Sequence, residues 1–123
     1  MTLQKLVTLL VVDQIEPQLK TWEKLGYKVV TRVPEQGAAG FVILSGAAGE
    51  LMLQTRASLA EDLPDVAKRK PGFLLYADVP SLAKAKQALP EATVIVADRK
   101  TFYGAREAWL ALTDGTILGL AEH

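Results

Sequence analysis

The chain has 123 residues, half of them apolar, with 14 Lys and Arg against 14 Asp and Glu, no Cys and a single His. That length and apolar content suit one folded domain rather than a disordered segment, and a formal charge of zero lacks the basic field that nucleic-acid binding needs. Without Cys there are no disulfides, thiolate metal centres or Cys nucleophile, and a lone His at position 123 argues against a Ser-His-Asp triad or a multi-His metal centre.

Residues 6–12 (LVTLLVV) are apolar and rich in β-branched side chains. The run is too short to span a membrane and no signal-peptidase pattern follows it, so it reads as a buried strand and the expected compartment is the cytoplasm. Asp13 is expected to cap a helix, with Glu16 as its capping-box partner. Ile15, Leu19, Trp22 and Leu25 recur at helical spacing, and Gly26 ends that helix. Residues 28–33, 41–44 and 50–54 read as strands, with a loop over 34–40 and a Gly-Ala-Ala-Gly turn over 46–49. Ser58 opens a second capping box with Glu61, and 58–71, broken by Pro64, reads as a linker holding a helical turn or two. Its basic run Lys68-Arg69-Lys70 is a solvated feature, too small for a nucleic-acid footprint.

The pattern then restarts. Residues 73–77 (FLLYA) form a strand, and Asp78 is expected to cap a helix with Pro80 in its first turn. Leu82, Ala85 and Leu89 are the apolar stripe of that helix, which Pro90 stops. Residues 93–97 are a strand, 99–104 a loop, and 106–112 and 116–120 two strands joined by a hairpin turn at Asp114-Gly115. Each half therefore runs strand, helix, three strands. That predicts an α+β fold made of a duplicated βαβββ unit rather than a ferredoxin-like sandwich, with modules over 1–57 and 72–123 in one domain.

Three stretches carry a family likeness. Val12-Asp13 followed by Trp22 and Leu25-Gly26-Tyr27 is similar to a V-x-D…F-Y-x-x-L-G-F opening. Phe102-Tyr103-Gly104-Ala105-Arg106-Glu107 is similar to F-Y-G-x-R-E, and residues 113–120 to a D-P-D-G turn and last strand, here without the Pro. On these motifs the chain resembles the glyoxalase/bleomycin-resistance/extradiol-dioxygenase family, the vicinal oxygen chelate superfamily. The resemblance implies mixed sheets curled around a cleft, completed in a homodimer. In metal-dependent members four strands supply the ion's ligands. The corresponding positions here are Leu6, Glu50, Gly72 and Gly119, so only Glu50 keeps a donor. One carboxylate does not hold a hard divalent ion.

Strand alternation then sorts the faces. Leu51 and Leu53 should pack under a helix, leaving Glu50, Met52 and Gln54 to the cleft; Leu118 and Leu120 likewise leave Ile117, Gly119 and Ala121. Leu6, Thr8 and Leu10 on the first strand, and Gly72, Leu74 and Tyr76 on the fifth, are expected to face the cleft, with Gly72 and Gly119 opening volume in it. Thr8, Glu50, Met52, Gln54, Tyr76, Tyr103 and Trp109 are the candidate ligand-binding residues. Several keep a plainer reading. Glu50 is either a solvated strand-edge carboxylate or an anchor, Tyr76 and Trp109 either core or wall, and Tyr103 either a loop staple or a pocket cap. Trp22 is core, and Arg106 with Glu107 reads as a surface pair.

Two functions follow. The first is a metal-free protein, with no cofactor, that captures an apolar or aromatic small molecule. The second is a metal-dependent lyase, isomerase or dioxygenase using Glu50. Neither involves nucleic acid or a membrane.

Overall fold

The computed structural model describes all 123 residues. In chain order the elements are β1 (Lys5–Val12), α1 (Glu16–Lys24), β2 (Lys28–Val33), β3 (Phe41–Gly46), β4 (Gly49–Thr55), α2 (Arg56–Asp62), α3 (Pro64–Ala67), β5 (Phe73–Asp78), α4 (Leu82–Gln87), β6 (Thr93–Lys100), β7 (Arg106–Ala111) and β8 (Ile117–Glu122). The βαβββ order occurs twice, as β1-α1-β2-β3-β4 and β5-α4-β6-β7-β8. No helix is long and apolar enough to cross a membrane. Two compact units form, one from Thr8–Phe73 and one from Met1–Val7 with Leu74–His123.

In the unit Thr8–Phe73 the strands lie in the order β2-β3-β4-β1, with β1 and β4 parallel and the other neighbours antiparallel. The β3–β4 hairpin closes at Gly49, whose φ of +121° suits glycine. Leu51 and Leu53 pack with Ile15, Val42 and Leu44 in one apolar cluster that Leu19 and Trp22 of α1 cover, as alternation predicts. Leu53 is fully buried; a leucine so placed contributes roughly 2 kcal/mol of transfer free energy.

The face expected of the first strand is reversed. Thr8 pairs with Leu51 and Leu10 with Leu53, whereas Leu9 pairs with Met52 and Val11 with Gln54. Laterally paired residues share a face, so Thr8 and Leu10 lie on the α1 side and Leu9 and Val11 on the side of Gln54. The run LVTLLVV is apolar at nearly every position, so it has no alternation from which its face could be read.

The helix starts differ from the sequence expectation in one consistent way. Asp13 does not cap α1, which begins at Glu16 with Ile15 as an N-cap that lends no side chain. Pro17 fixes that start, because proline is tolerated only where no N–H is required. The Asp13 carboxylate instead pairs with Arg56 at 2.9 Å. The Glu16 carboxylate accepts from the Ala39 N–H at 2.7 Å and from Arg32 at 3.2 Å, and the backbone bond is the main reason its pKa lies below the usual value. Thr55, not Ser58, caps α2: its hydroxyl accepts from the Ser58 N–H at 3.1 Å, a cap that stabilises by about 1 kcal/mol. The segment after it is not a loose linker, since Leu59, Leu63 and Val66 are all buried. Asp78 stays in β5, where His123 Nε2 meets its Oδ1 at 3.1 Å, and Ser81 caps α4 with Pro80 preceding the cap.

In the other unit the order is β5-β8-β7-β6, with β5 and β8 parallel and the remaining pairs antiparallel. The β7–β8 hairpin turns at Gly115 with φ +91°, and Leu112 N–H donates to Thr116 C=O at 2.8 Å. Leu82 and Ala85 of α4 pack on Ala77, Ala108, Leu110, Leu118 and Leu120. The opposite face of the same sheet carries Tyr76, Glu107, Trp109 and Gly119. β6 runs to Lys100, so Arg99 is a strand residue rather than a loop residue.

Candidate functional site

On that opposite face a carboxylate is buried at the centre of an aromatic group. Glu107 is 1% exposed. Its Oε1 accepts from Arg99 Nε at 2.9 Å and from the Trp109 indole N–H at 3.1 Å. Its Oε2 accepts from the Tyr103 hydroxyl at 2.6 Å and from the Tyr76 hydroxyl. Strand register produces this convergence. Arg99 of β6 lies directly across from Glu107 of β7, and Trp109 follows two residues on, where the same face recurs. Tyr76 reaches in from β5 because β8 lies between: Gly119 is paired with both Tyr76 and Trp109. The Tyr76 and Trp109 rings are tilted at 40° with centroids 5.8 Å apart.

Tyr103 arrives from a short loop with a rigid base. Thr101 N–H donates to Ala105 C=O at 2.8 Å and Ala105 N–H donates to Thr101 Oγ1 at 2.9 Å, and both residues are buried. Between them Gly104 takes φ +88°, a conformation other residues adopt only with strain. The tip is open: Phe102 is 95% and Tyr103 53% exposed, their rings edge to face at 5.1 Å. Tyr103 is thus both a staple, through its hydroxyl, and a surface aromatic, through its ring.

The electrostatics follow from this wiring. Burial alone would raise the Glu107 pKa, but the donors from Tyr103, Tyr76, Arg99 and Trp109 outweigh it and hold the carboxyl below its ordinary value. Burial, reinforced by the bond to Glu107, pushes the Tyr103 hydroxyl up to about 12, and the same causes raise Tyr76. A carboxylate held ionised and phenols held neutral are both far from the pKa near 7 that suits proton transfer. The cluster is built to hold a fixed charge pattern.

Of the residues singled out in the sequence, Tyr76, Tyr103 and Trp109 come together here. Trp109 is 3% exposed, so it forms the floor of the cluster. Its ring also fills the place where Gly119 was expected to open volume: a Cβ at 119 would sit 2.6 Å from Cη2 of the indole. Glu50, Met52 and Gln54 share one face of β4. Glu50 is cross-strand from Ser45, and the Gln54 amide donates to Ser58 Oγ at 3.1 Å. Thr8 is on the other face of that sheet, beside Leu51. Glu107 and Arg99 are the residues the sequence reading missed. Only Arg106 is at the surface, where it pairs with Asp98, while its neighbour turns inward. The available signal was that Glu107 alternates with Ala105, Trp109 and Ala111, an otherwise apolar face.

The residues at the positions where the resemblance expects the ligands of a divalent ion do not fit one. No three His, Asp or Glu side chains come together. Leu6 and Gly72 offer no side-chain donor, and Gly119 lies under the indole.

The duplicated module and sheet orders define a fold class, and solved structures share it. The chain matches a glyoxalase/bleomycin resistance protein/dioxygenase superfamily member from Vibrio splendidus 12B01 with a TM-score of 0.70 and 19% identity, over 99% of this chain and 100% of that one. A hypothetical protein from Bacillus halodurans C-125 gives 0.68 and 22%, over 95% and 91%. Methylmalonyl-CoA epimerase from Mycobacterium tuberculosis gives 0.64 and 20%, over 94% and 85%. The chain has the glyoxalase/bleomycin-resistance/dioxygenase fold. No protein-family model matches the sequence, and no curated protein does.

Proposed function

We propose that this chain is a small-molecule-binding protein of the bleomycin-resistance type, which captures an apolar or aromatic compound without a metal ion. The observation that carries the reading is the pair of tyrosines, Tyr76 and Tyr103, whose hydroxyls are tied to one buried carboxylate and whose loop neighbour Phe102 is almost wholly exposed. Aromatic surface beside a few fixed polar atoms is what small-molecule sites use. The donor set supports the metal-free form, because a Lewis-acid mechanism through Glu50 lacks the further ligands it needs. On the same reading the protein is a homodimer, supported by exposed apolar side chains at Val29, Val30 and Val33 along the outer strand β2.

A Trp22→Phe variant leaves Trp109 as the one indole. Titrated with a panel of aromatic compounds, it is expected to change emission saturably at one compound per chain, and adding Tyr76→Ala should weaken that binding about tenfold. The dialysed protein should bind Zn²⁺, Ni²⁺, Mn²⁺ and Fe²⁺ only weakly. Stoichiometric, tight uptake of any of the four would overturn the reading.

A further inference from the structure

We propose that the Tyr103 side chain is a built-in stand-in for the ligand: an aromatic ring bearing one O–H or N–H donor displaces it and takes its place on Glu107 Oε2. The inference rests on the small-molecule reading above and names the atom and the ligand chemistry. Three observations carry it. First, Glu107 keeps three donors without Tyr103, namely Tyr76, Arg99 and Trp109, so the carboxylate stays held when that phenol leaves. Second, the loop backbone is fixed while its side chains are open. Thr101 and Ala105 are buried and bonded to each other, and Gly104 N–H donates to Thr101 C=O at 3.1 Å to close the turn over the exposed Phe102 and Tyr103. The Tyr103 side chain can therefore rotate away about its own torsions while the backbone bonds of the loop stay made. Third, the Tyr103 hydroxyl donates to Glu107 at 2.6 Å while half of the residue faces solvent. Tyr103 is the most exposed of the four donor residues, since Trp109 is buried and Arg99 and Tyr76 are only partly exposed.

Displacement exchanges one charge-assisted hydrogen bond for another, which is close to neutral, so net affinity comes from burying the incoming ring. A ring without a donor would leave an acceptor of a buried carboxylate uncovered, and that is the source of selectivity. The Tyr76 and Tyr103 hydroxyls lie 3.2 Å from each other and both reach Oε2, so what the site offers an incoming ring is the Glu107 carboxylate as acceptor. Aromatic carboxylates and phosphates are therefore expected to be rejected.

The test uses p-cresol, the tyrosine side chain as a free molecule, and toluene, the same ring without the hydroxyl. In Tyr103→Ala, calorimetry should give one p-cresol site, at least about tenfold tighter than toluene, and tighter than p-cresol on the wild type, which must first release Tyr103. Equal binding of p-cresol and toluene overturns the proposal. A second measurement needs no cavity variant. The chain has three tyrosines, at 27, 76 and 103; in wild-type protein carrying 3-fluorotyrosine, p-cresol should move the ¹⁹F resonance of Tyr103 toward that of the free amino acid and leave Tyr27 in place. Tyr103→Phe assigns the resonance. A Tyr103 signal that stays put up to the solubility limit of p-cresol also overturns it. If panel compounds bind the wild type while that signal stays fixed, the small-molecule reading survives and this one falls. If neither p-cresol nor any panel compound binds, both readings fall.

Discussion

Glu107→Gln is expected to destabilise the fold by about 3–5 kcal/mol in urea denaturation at pH 7, although it changes almost no volume. The amide has one acceptor oxygen where the carboxylate has two, so it must turn an NH2 group toward either Arg99 and Trp109 or Tyr76 and Tyr103. Whichever pair faces the NH2 loses its acceptor inside a site that Glu107 occupies at 1% exposure. The guanidinium of Arg99, 24% exposed, also loses the carboxylate across from it. The effect should depend on pH in a definite direction. The folded pKa of Glu107 is below its ordinary value of 4.5, so its contribution is complete above that value and is lost as pH falls through the folded pKa. The gap between wild type and Glu107→Gln should therefore narrow from pH 5 downward and be constant between about pH 6 and 8. A gap that is small at pH 7, or that widens in acid, would mean the carboxylate is not held as an anion.

Gly119→Ala is expected to cost about 3 kcal/mol, the upper end for overpacking, from the addition of a single methyl group. The new Cβ would lie 2.6, 2.7 and 2.8 Å from Cη2, Cζ3 and Cζ2 of Trp109. The indole cannot slide aside cheaply, because it is buried, tilted against Tyr76 and anchored to Glu107 through its N–H. Moving it breaks that bond as well, so near-ultraviolet circular dichroism of Trp109 should change along with the melting temperature. Trp109→Leu removes the obstacle, and in that background Gly119→Ala should be close to neutral; the double-mutant cycle isolates the contact. Equal costs in both backgrounds would show that the methyl group meets something other than the indole.

The duplicated βαβββ order was legible because it rests on local chemistry. Apolar alternation marked β4 and β8, a hairpin turn marked Asp114-Gly115, and Pro90 and Gly26 stopped their helices. The faces of β4 and β8 were legible for the same reason, as Leu51 and Leu53, or Leu118 and Leu120, alternate with smaller or polar neighbours. The helix caps were not. Asp13, Glu16 and Asp78 have the right residue types at the right spacing, but partners far along the chain compete for them: Arg56 for Asp13, Ala39 for Glu16 and His123 for Asp78. A capping box is worth about 1 kcal/mol, so a hydrogen-bonding partner brought up by folding, such as the Arg56 guanidinium at Asp13 or the Ala39 N–H at Glu16, is enough to redirect it.

The candidate site divides the same way. Tyr76, Tyr103 and Trp109 stand out as aromatic residues on strands and in a loop, and the sequence singles them out unaided. Glu107 looks like a surface charge beside Arg106, and its one local sign of burial is that it alternates with Ala105, Trp109 and Ala111. Sequence alone determined the two modules, the scarcity of metal donors and the aromatic residues of the candidate site, because each is a property of residue type and period. Tertiary structure decided which carboxylate is buried, which face β1 presents and what fills the space over Gly119. Those depend on strand register, which brings Arg99 and Tyr76 to Glu107 from positions 8 and 31 residues away along the chain.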